Sequence, residues 1–144
     1  MAPVSDSTLQ VELLESSFAL LAPRADELAE RFYTRLFEVA PAARAMFPDD
    51  MAGQRRALIG AVGMIVGSLR TPEKLATYLD GLGRRHVDYG AVPAHYEVVG
   101  AVLLETMADL AGPAWHAELN DAWATAYGAV SGLMQSAAAR DVAA

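Results

Sequence analysis

Proline and glycine fall where helices would start and stop, and between them the apolar residues recur at helical rather than alternate spacing. No segment shows the period-two pattern of a half-buried strand, which confines the chain to all-α folds with short connections. Ser5 to Leu21 opens on residues suited to an N-cap and carries Leu9, Leu13, Leu14, Phe18 and Leu21, with Ser16 and Ser17 between the apolar positions. A second segment starts near Pro23, tolerated in a first turn, and runs to about Val39. Its stripe is Leu28, Phe32, Leu36 and Val39, widened by Tyr33 and Phe37. A short turn from Pro41 to Phe47 is closed by Pro48, and a long helix covers roughly Asp50 to Leu69. Thr71-Pro72-Glu73 then reads as a cap, a first-turn proline and an acidic first turn. The helix it starts reaches about Tyr89 and is expected to bury Leu75, Leu79, Leu82 and His86. Gly90 and Pro93 mark a sharp connection into Ala94 to Leu110. Gly112-Pro113 starts a final helix carrying Trp115, Leu119, Trp123, Tyr127, Val130 and Met134. Six or seven helices without repeat or linker predict one domain over residues 1–144.

Composition narrows the function classes. A chain of 144 residues, 53% hydrophobic and 20% charged, is long and apolar enough to fold around a core or a cofactor. Its net charge of -7 argues against non-specific nucleic-acid or anionic-membrane binding, since either needs a basic face. The lack of cysteine removes disulfides, thiolate metal sites and cysteine nucleophiles, and gives no sign of an oxidising compartment. The polar stretch Met1 to Thr8 does not read as a signal peptide, so a cytoplasmic location is expected. The most membrane-like stretch, Ala57 to Leu69, is too short to span a bilayer and is expected to be a deeply buried helix.

The three histidines separate by position. His116 stands among polar neighbours near the start of the last helix, and His95 in a first turn beside Tyr96; both are expected at the surface or the rim. His86 follows Leu79 and Leu82 at seven and four residues and so shares their apolar stripe. By periodicity alone it is either a satisfied core histidine or a metal ligand. No HExxH, histidine pair at helical spacing or cysteine completes a protein-only metal site. A porphyrin escapes that objection, because it supplies four equatorial nitrogens and needs only one axial imidazole. The Leu82 carbonyl, one turn earlier, is placed to accept a hydrogen bond from the other ring nitrogen. Gln54 and Leu58 share a face of the long central helix, Tyr33 lies on the buried side of the second helix, and Phe47 ends the short turn. Taken singly, Tyr33 reads more readily as a core tyrosine with a bonded hydroxyl and Gln54 as an ordinary exposed helix residue; it is their joint arrangement that asks for another explanation.

The stretches FYTRLFEVAP, QRRAL, LGRRHVDYG, HYEVVGAVLL and AWATAYGAV, in that order across nearly the whole chain, resemble the three-over-three globins. The likeness is to bacterial single-domain haemoglobins and the haem domains of flavohaemoglobins, with some similarity to neuroglobin. Two-over-two truncated globins fit poorly, because the first and fourth helices are both intact. The resemblance implies an all-α globin fold, a three-over-three helical sandwich around haem b (iron protoporphyrin IX). It makes His86 the proximal iron ligand, Phe47 the aromatic packed on the porphyrin, Tyr33 and Gln54 the distal polar pair, and Leu58 the apolar residue over the iron. Leu82, Val92, Val99 and Leu103 would line the pocket. Arg84 or Arg85 would reach a haem propionate, with a solvated surface arginine as the alternative, and Tyr96 matches a tyrosine placed beside the proximal histidine. One departure is the glutamate that flavohaemoglobins carry late in the last helix: none follows Glu118 here, and the region reads GLMQSAAAR. Without that carboxylate the histidine is a weaker donor.

The resemblance implies a protein that binds dioxygen and other diatomic ligands such as NO and CO. Tyr33 and Gln54 both donate hydrogen bonds, and dioxygen in such a site draws negative charge, so tight binding is expected. Gln54, where neuroglobin-like proteins have a second histidine, argues against two-histidine ligation. The alternative is a nitric oxide dioxygenase, which with no GxGxxG fingerprint in these 144 residues would need an external reductase. A cofactor-free helical domain that senses or scaffolds is a third reading. A monomer or weak homodimer is expected.

Overall fold

The protein is described by a computed structural model covering residues 10–88 and 90–143. Among these residues there are six α-helices and no strand: α1 Val11–Leu21, α2 Ala25–Val39, α3 Ala52–Gly67, α4 Pro72–Asp88, α5 Pro93–Ala111 and α6 Ala117–Ala143. Short 3₁₀ turns, Ala22–Arg24, Pro41–Met46 and Gly112–Ala114, join three of the pairs, each with a proline at its start. The helices form the expected three-over-three sandwich, α1, α3 and α4 against α2, α5 and α6. Contacts of α2 with α3, of α4 with α6, and of α1 with α5 and α6 tie the layers together. Ser5 to Leu9 and Tyr89, expected at helix ends, lie outside the described residues.

The core is continuous, with Leu14, Leu21, Leu28, Phe32, Leu79 and Met107 almost fully buried. Burial of each such side chain contributes roughly 1.5–3 kcal/mol. The most extensive helix pair is α4 with α6. Its backbones meet at Gly83, where an added Cβ would collide with the main chain of Met134. Only glycine permits that approach.

Several elements depart from the apolar pattern for identifiable reasons. Ser17 is buried rather than lying between buried positions, because its hydroxyl accepts the Trp123 indole N–H at 2.8 Å while donating to Leu13 O at 2.6 Å. Val39, expected in the α2 stripe, is half exposed at the helix's last residue, one position before the chain turns away. Trp115 precedes α6 instead of lying within it: its backbone is extended and its indole donates to Asn120 Oδ1. The stretch Ala57 to Leu69 is not deeply buried. Val62, Val66, Ser68 and Leu69 are, whereas Leu58, Ile59 and Ile65 are half-buried and Met64 is exposed. One side of α3 packs on α2 and α1, and the rest of its surface is left less covered. Among the described residues, no helix is long and apolar enough to cross a membrane.

Candidate functional site

Two groups of side chains gather the expected site residues, one around Tyr33 and the start of α3, the other at the end of α4 and the start of α5. Although consecutive in sequence, α3 and α4 make no extensive contact with each other among the described residues: α3 packs on α2, and α4 on α6. Apolar side chains on both, Leu58 and Ile59 on α3 and Leu82 on α4, consequently stay only partly buried.

The first group is centred on Tyr33, buried in the middle of α2. Its ring meets Phe32 edge-on at 4.9 Å between centroids and Phe47 at 5.5 Å, with Phe37 at 6.0 Å. The Tyr33 hydroxyl accepts a hydrogen bond from Gln54 Nε2 at 3.0 Å. Gln54 occupies the first turn of α3, at the start of which the Asp50 carboxylate accepts the Ala52 N–H. Burial raises the Tyr33 pKa above the ordinary tyrosine value, opposed in part by the Gln54 N–H. The phenol therefore stays protonated at neutral pH. Since its oxygen already accepts from Gln54, its own proton can be given to another acceptor.

The second group is carried by the end of α4 and the start of α5. His86 Nδ1 lies 2.8 Å from Leu82 O. A carbonyl can only accept, so Nδ1 carries the proton and, in the neutral ring, Nε2 carries the lone pair. The Tyr96 ring is tilted 33° against the imidazole at 6.1 Å between centroids. Tyr96 is buried with its hydroxyl lacking a hydrogen-bond partner among the described residues, and burial raises its pKa. Its main-chain carbonyl accepts from Tyr127 Oη at 2.6 Å, which fastens the first turn of α5 to α6. Gly100 permits that fastening, since a Cβ there would stand 2.5 Å from the Tyr127 ring. The turn after α4 also reaches toward the first group: Gly90 adopts φ +86°, and a Cβ on it would lie 3.9 Å from Met46 Cε.

The structure thus joins Tyr33 with Gln54 and Phe47, and His86 with Leu82 and Tyr96. Leu82 and His86 are half-buried rather than buried as periodicity suggested, because α4 gives α6 the face centred on Leu79 and Gly83 and α3 leaves the adjoining face open. Val99 is partly buried and Leu103 buried on α5, but Val92, just before the helix, is 48% exposed. Arg84 pairs with Asp80 at 3.2 Å, and Arg85 is exposed. The other histidines are occupied at helix starts: His95 Nδ1 accepts the Val92 N–H and His116 Nδ1 the Leu119 N–H. Among the described residues, no cluster of three or more His, Asp, Glu or Cys could hold a metal ion. Sequence reasoning missed Arg44 and Tyr127 as organisers of these groups, since their partners are main-chain carbonyls, to which no residue pattern points.

A globin family model matches residues 30–134, which include both groups. The chain is 31% identical over 128 residues to a flavohemoprotein of Rhodopirellula baltica, a match covering 87% of this chain and 31% of that one. It therefore spans about a third of the length of such flavohemoproteins. It is 35% identical over 130 residues to an anaerobic nitrite reductase of Oryza sativa subsp. indica, covering 84% of this chain and 88% of the other. In structure it is similar to a bacterial globin from Campylobacter jejuni, with a TM-score of 0.83 at 24% identity over 94% of this chain and 98% of that one. With a family model matched across every helix that carries the site, and a relative matched along most of both chains, this chain belongs to the globin family.

Proposed function

We propose that the chain is a haem-binding globin unit that reversibly binds dioxygen, with His86 as the protein ligand of the iron. The observation that carries this reading is the hydrogen bond from His86 Nδ1 to Leu82 O, which leaves Nε2 as the ligating nitrogen of a ring in fixed orientation. The donor set fits a group that brings its own equatorial nitrogens, since one imidazole then suffices. Phe47, Leu58, Leu82 and Val99 offer the partly buried apolar surface that a porphyrin face requires, with Val92 at its rim. The chain has no cysteine for thioether attachment, which favours non-covalent haem b.

When bound, haem would supply an iron able to take a diatomic ligand. The chain's own residues then decide how that ligand is held. Buried Tyr33 and half-buried Gln54 present hydrogen-bond donors, which would stabilise a ligand that draws negative charge in a low-dielectric site. Leu58, partly buried one turn beyond Gln54, would add apolar cover beside them. His86 Nδ1 is held by a neutral carbonyl, that of Leu82. The imidazole so held is a comparatively neutral donor, suited to retaining dioxygen rather than cleaving it.

A second reading, nitric oxide dioxygenase activity with a separate reductase, draws on the similarity to flavohemoproteins. Stopped-flow dioxygen dissociation tests the first reading. Slow release that Tyr33→Phe accelerates by about tenfold supports it, and release that is fast and unchanged in the variant overturns the role of Tyr33. Sustained, reductant-coupled consumption of nitric oxide by the purified protein would favour the second.

A further inference from the structure

We propose that Arg44 is the positioning residue that holds Phe47, and through Phe47 the Tyr33 ring, in place. After the 3₁₀ turn Pro41–Met46 the backbone becomes extended at Phe47, with φ -123° and ψ 155°. Carbonyls that leave a helical turn need partners from elsewhere. One guanidinium answers three in succession: Arg44 Nη1 donates to Phe47 O at 3.2 Å and Pro48 O at 3.0 Å, and Nη2 donates to Asp49 O at 3.2 Å. The same guanidinium lies over the Phe37 ring, its Cζ 5.2 Å from the centroid. Phe37 in turn lies 5.6 Å from Phe47, and Phe47 stands edge-on to Tyr33 at 5.5 Å and 68°.

These contacts form one chain of causes. Phe47 is only partly buried, so apolar packing alone does not fix it. Its main chain is pinned by Arg44 from one side and its ring is boxed by Phe37 and Tyr33 from the other. A planar fork with several donors can gather three carbonyls while stacking on a ring, and the point charge of a lysine cannot. Removing the fork therefore frees residues 47–49, lets the Phe47 ring shift, and withdraws the edge contact that orients the phenol bonded to Gln54. Arg44 acts on the ligand through other residues without touching it.

The part of the proposal that concerns ligand rests on the haem reading, so the test has a haem-independent arm. Arg44→Ala and Arg44→Lys are compared with the wild type by limited proteolysis of residues 47–51, and by the infrared C–O stretch of the reduced protein loaded with haem and carbon monoxide. We expect Arg44→Ala to speed cleavage in this segment by about tenfold, the equivalent of little more than one net hydrogen bond, with helical circular dichroism unchanged. The C–O band should shift and broaden, since it reports the polar groups around the ligand. Arg44→Lys should recover only part of both effects. Unchanged cleavage in a folded Arg44→Ala protein overturns the proposal, as does an Arg44→Lys protein identical to wild type in both measurements. Faster cleavage with an unmoved C–O band overturns the link from the loop to Tyr33. Should Arg44→Ala fail to fold, the lysine variant decides by the same criteria. Should the wild type take up no haem, the haem reading falls, and cleavage alone upholds or overturns the hold of Arg44 on Phe47.

Discussion

The Tyr33 hydroxyl shows how a single atom acquires a role from its surroundings. Burial keeps the phenol protonated, and the Gln54 amide takes up its acceptor capacity, so that what remains is a donor. The helical period of the sequence placed Tyr33 on an inward face, and the family resemblance paired it with Gln54. Neither could give the 3.0 Å contact, which depends on how α3 lies on α2. Ser17 was legible the other way round. As a polar residue it reads as a gap in an apolar stripe, yet it is buried because Trp123, far along the chain, needs an acceptor for its indole N–H. Ser17→Ala leaves that N–H buried without a partner and should cost about 1–3 kcal/mol in urea unfolding, whereas an exposed serine such as Ser16 should cost far less on the same substitution.

At the scale of elements, helix existence and order follow from proline, glycine and the 3.6-residue period, while the closeness of helices does not. The six helices lie where apolar periodicity puts them, with ends shifted by a few residues at Trp115 and around α3. Gly83 carries no signal in a one-dimensional pattern, because what it accommodates is the backbone of Met134 on α6. Gly83→Ala would gain helix propensity if space allowed. Here the collision with a main chain that cannot swing aside dominates, and we expect a loss of about 1–3 kcal/mol. Equal or higher stability in denaturant titration would contradict the tight α4–α6 crossing. The same limit applies to the candidate site. His86, Leu82 and Tyr96 were identifiable as residues, but the half-buried state of Leu82 and His86 follows from α3 and α4 packing on different partners.

For the whole molecule, charge and burial set how stability responds to pH. Burial raises the pKa values of Tyr33, Tyr96 and Tyr127 above the ordinary tyrosine value near 10. Above about pH 10 the unfolded chain loses these protons while the folded chain keeps them. The folded state then binds more protons than the unfolded one, so stability is full below that pH and falls as pH rises. The urea midpoint should hold between pH 8 and pH 9.5 and decline by pH 11, and a midpoint that climbs over that range would contradict the burial of these phenols. On the acid side Glu15 and Glu27 have lowered pKa values through hydrogen bonds from Arg70 and Arg24, a contribution present above the ordinary carboxylate range and lost as pH falls. Both are exposed, so this acid dependence should be shallow.

The absorption spectrum of the protein mixed with haem, beside that of His86→Ala, tests the central claim most directly. The wild type should give a sharp Soret band in the ferric state that shifts on reduction and again on binding carbon monoxide. His86→Ala should lose the ligated ferrous spectrum while keeping its helical circular dichroism, and added imidazole should restore it. A wild type that takes up no haem, or a His86→Ala protein whose ferric, ferrous and carbon monoxide spectra match the wild type, would contradict the assignment of His86 as the iron ligand.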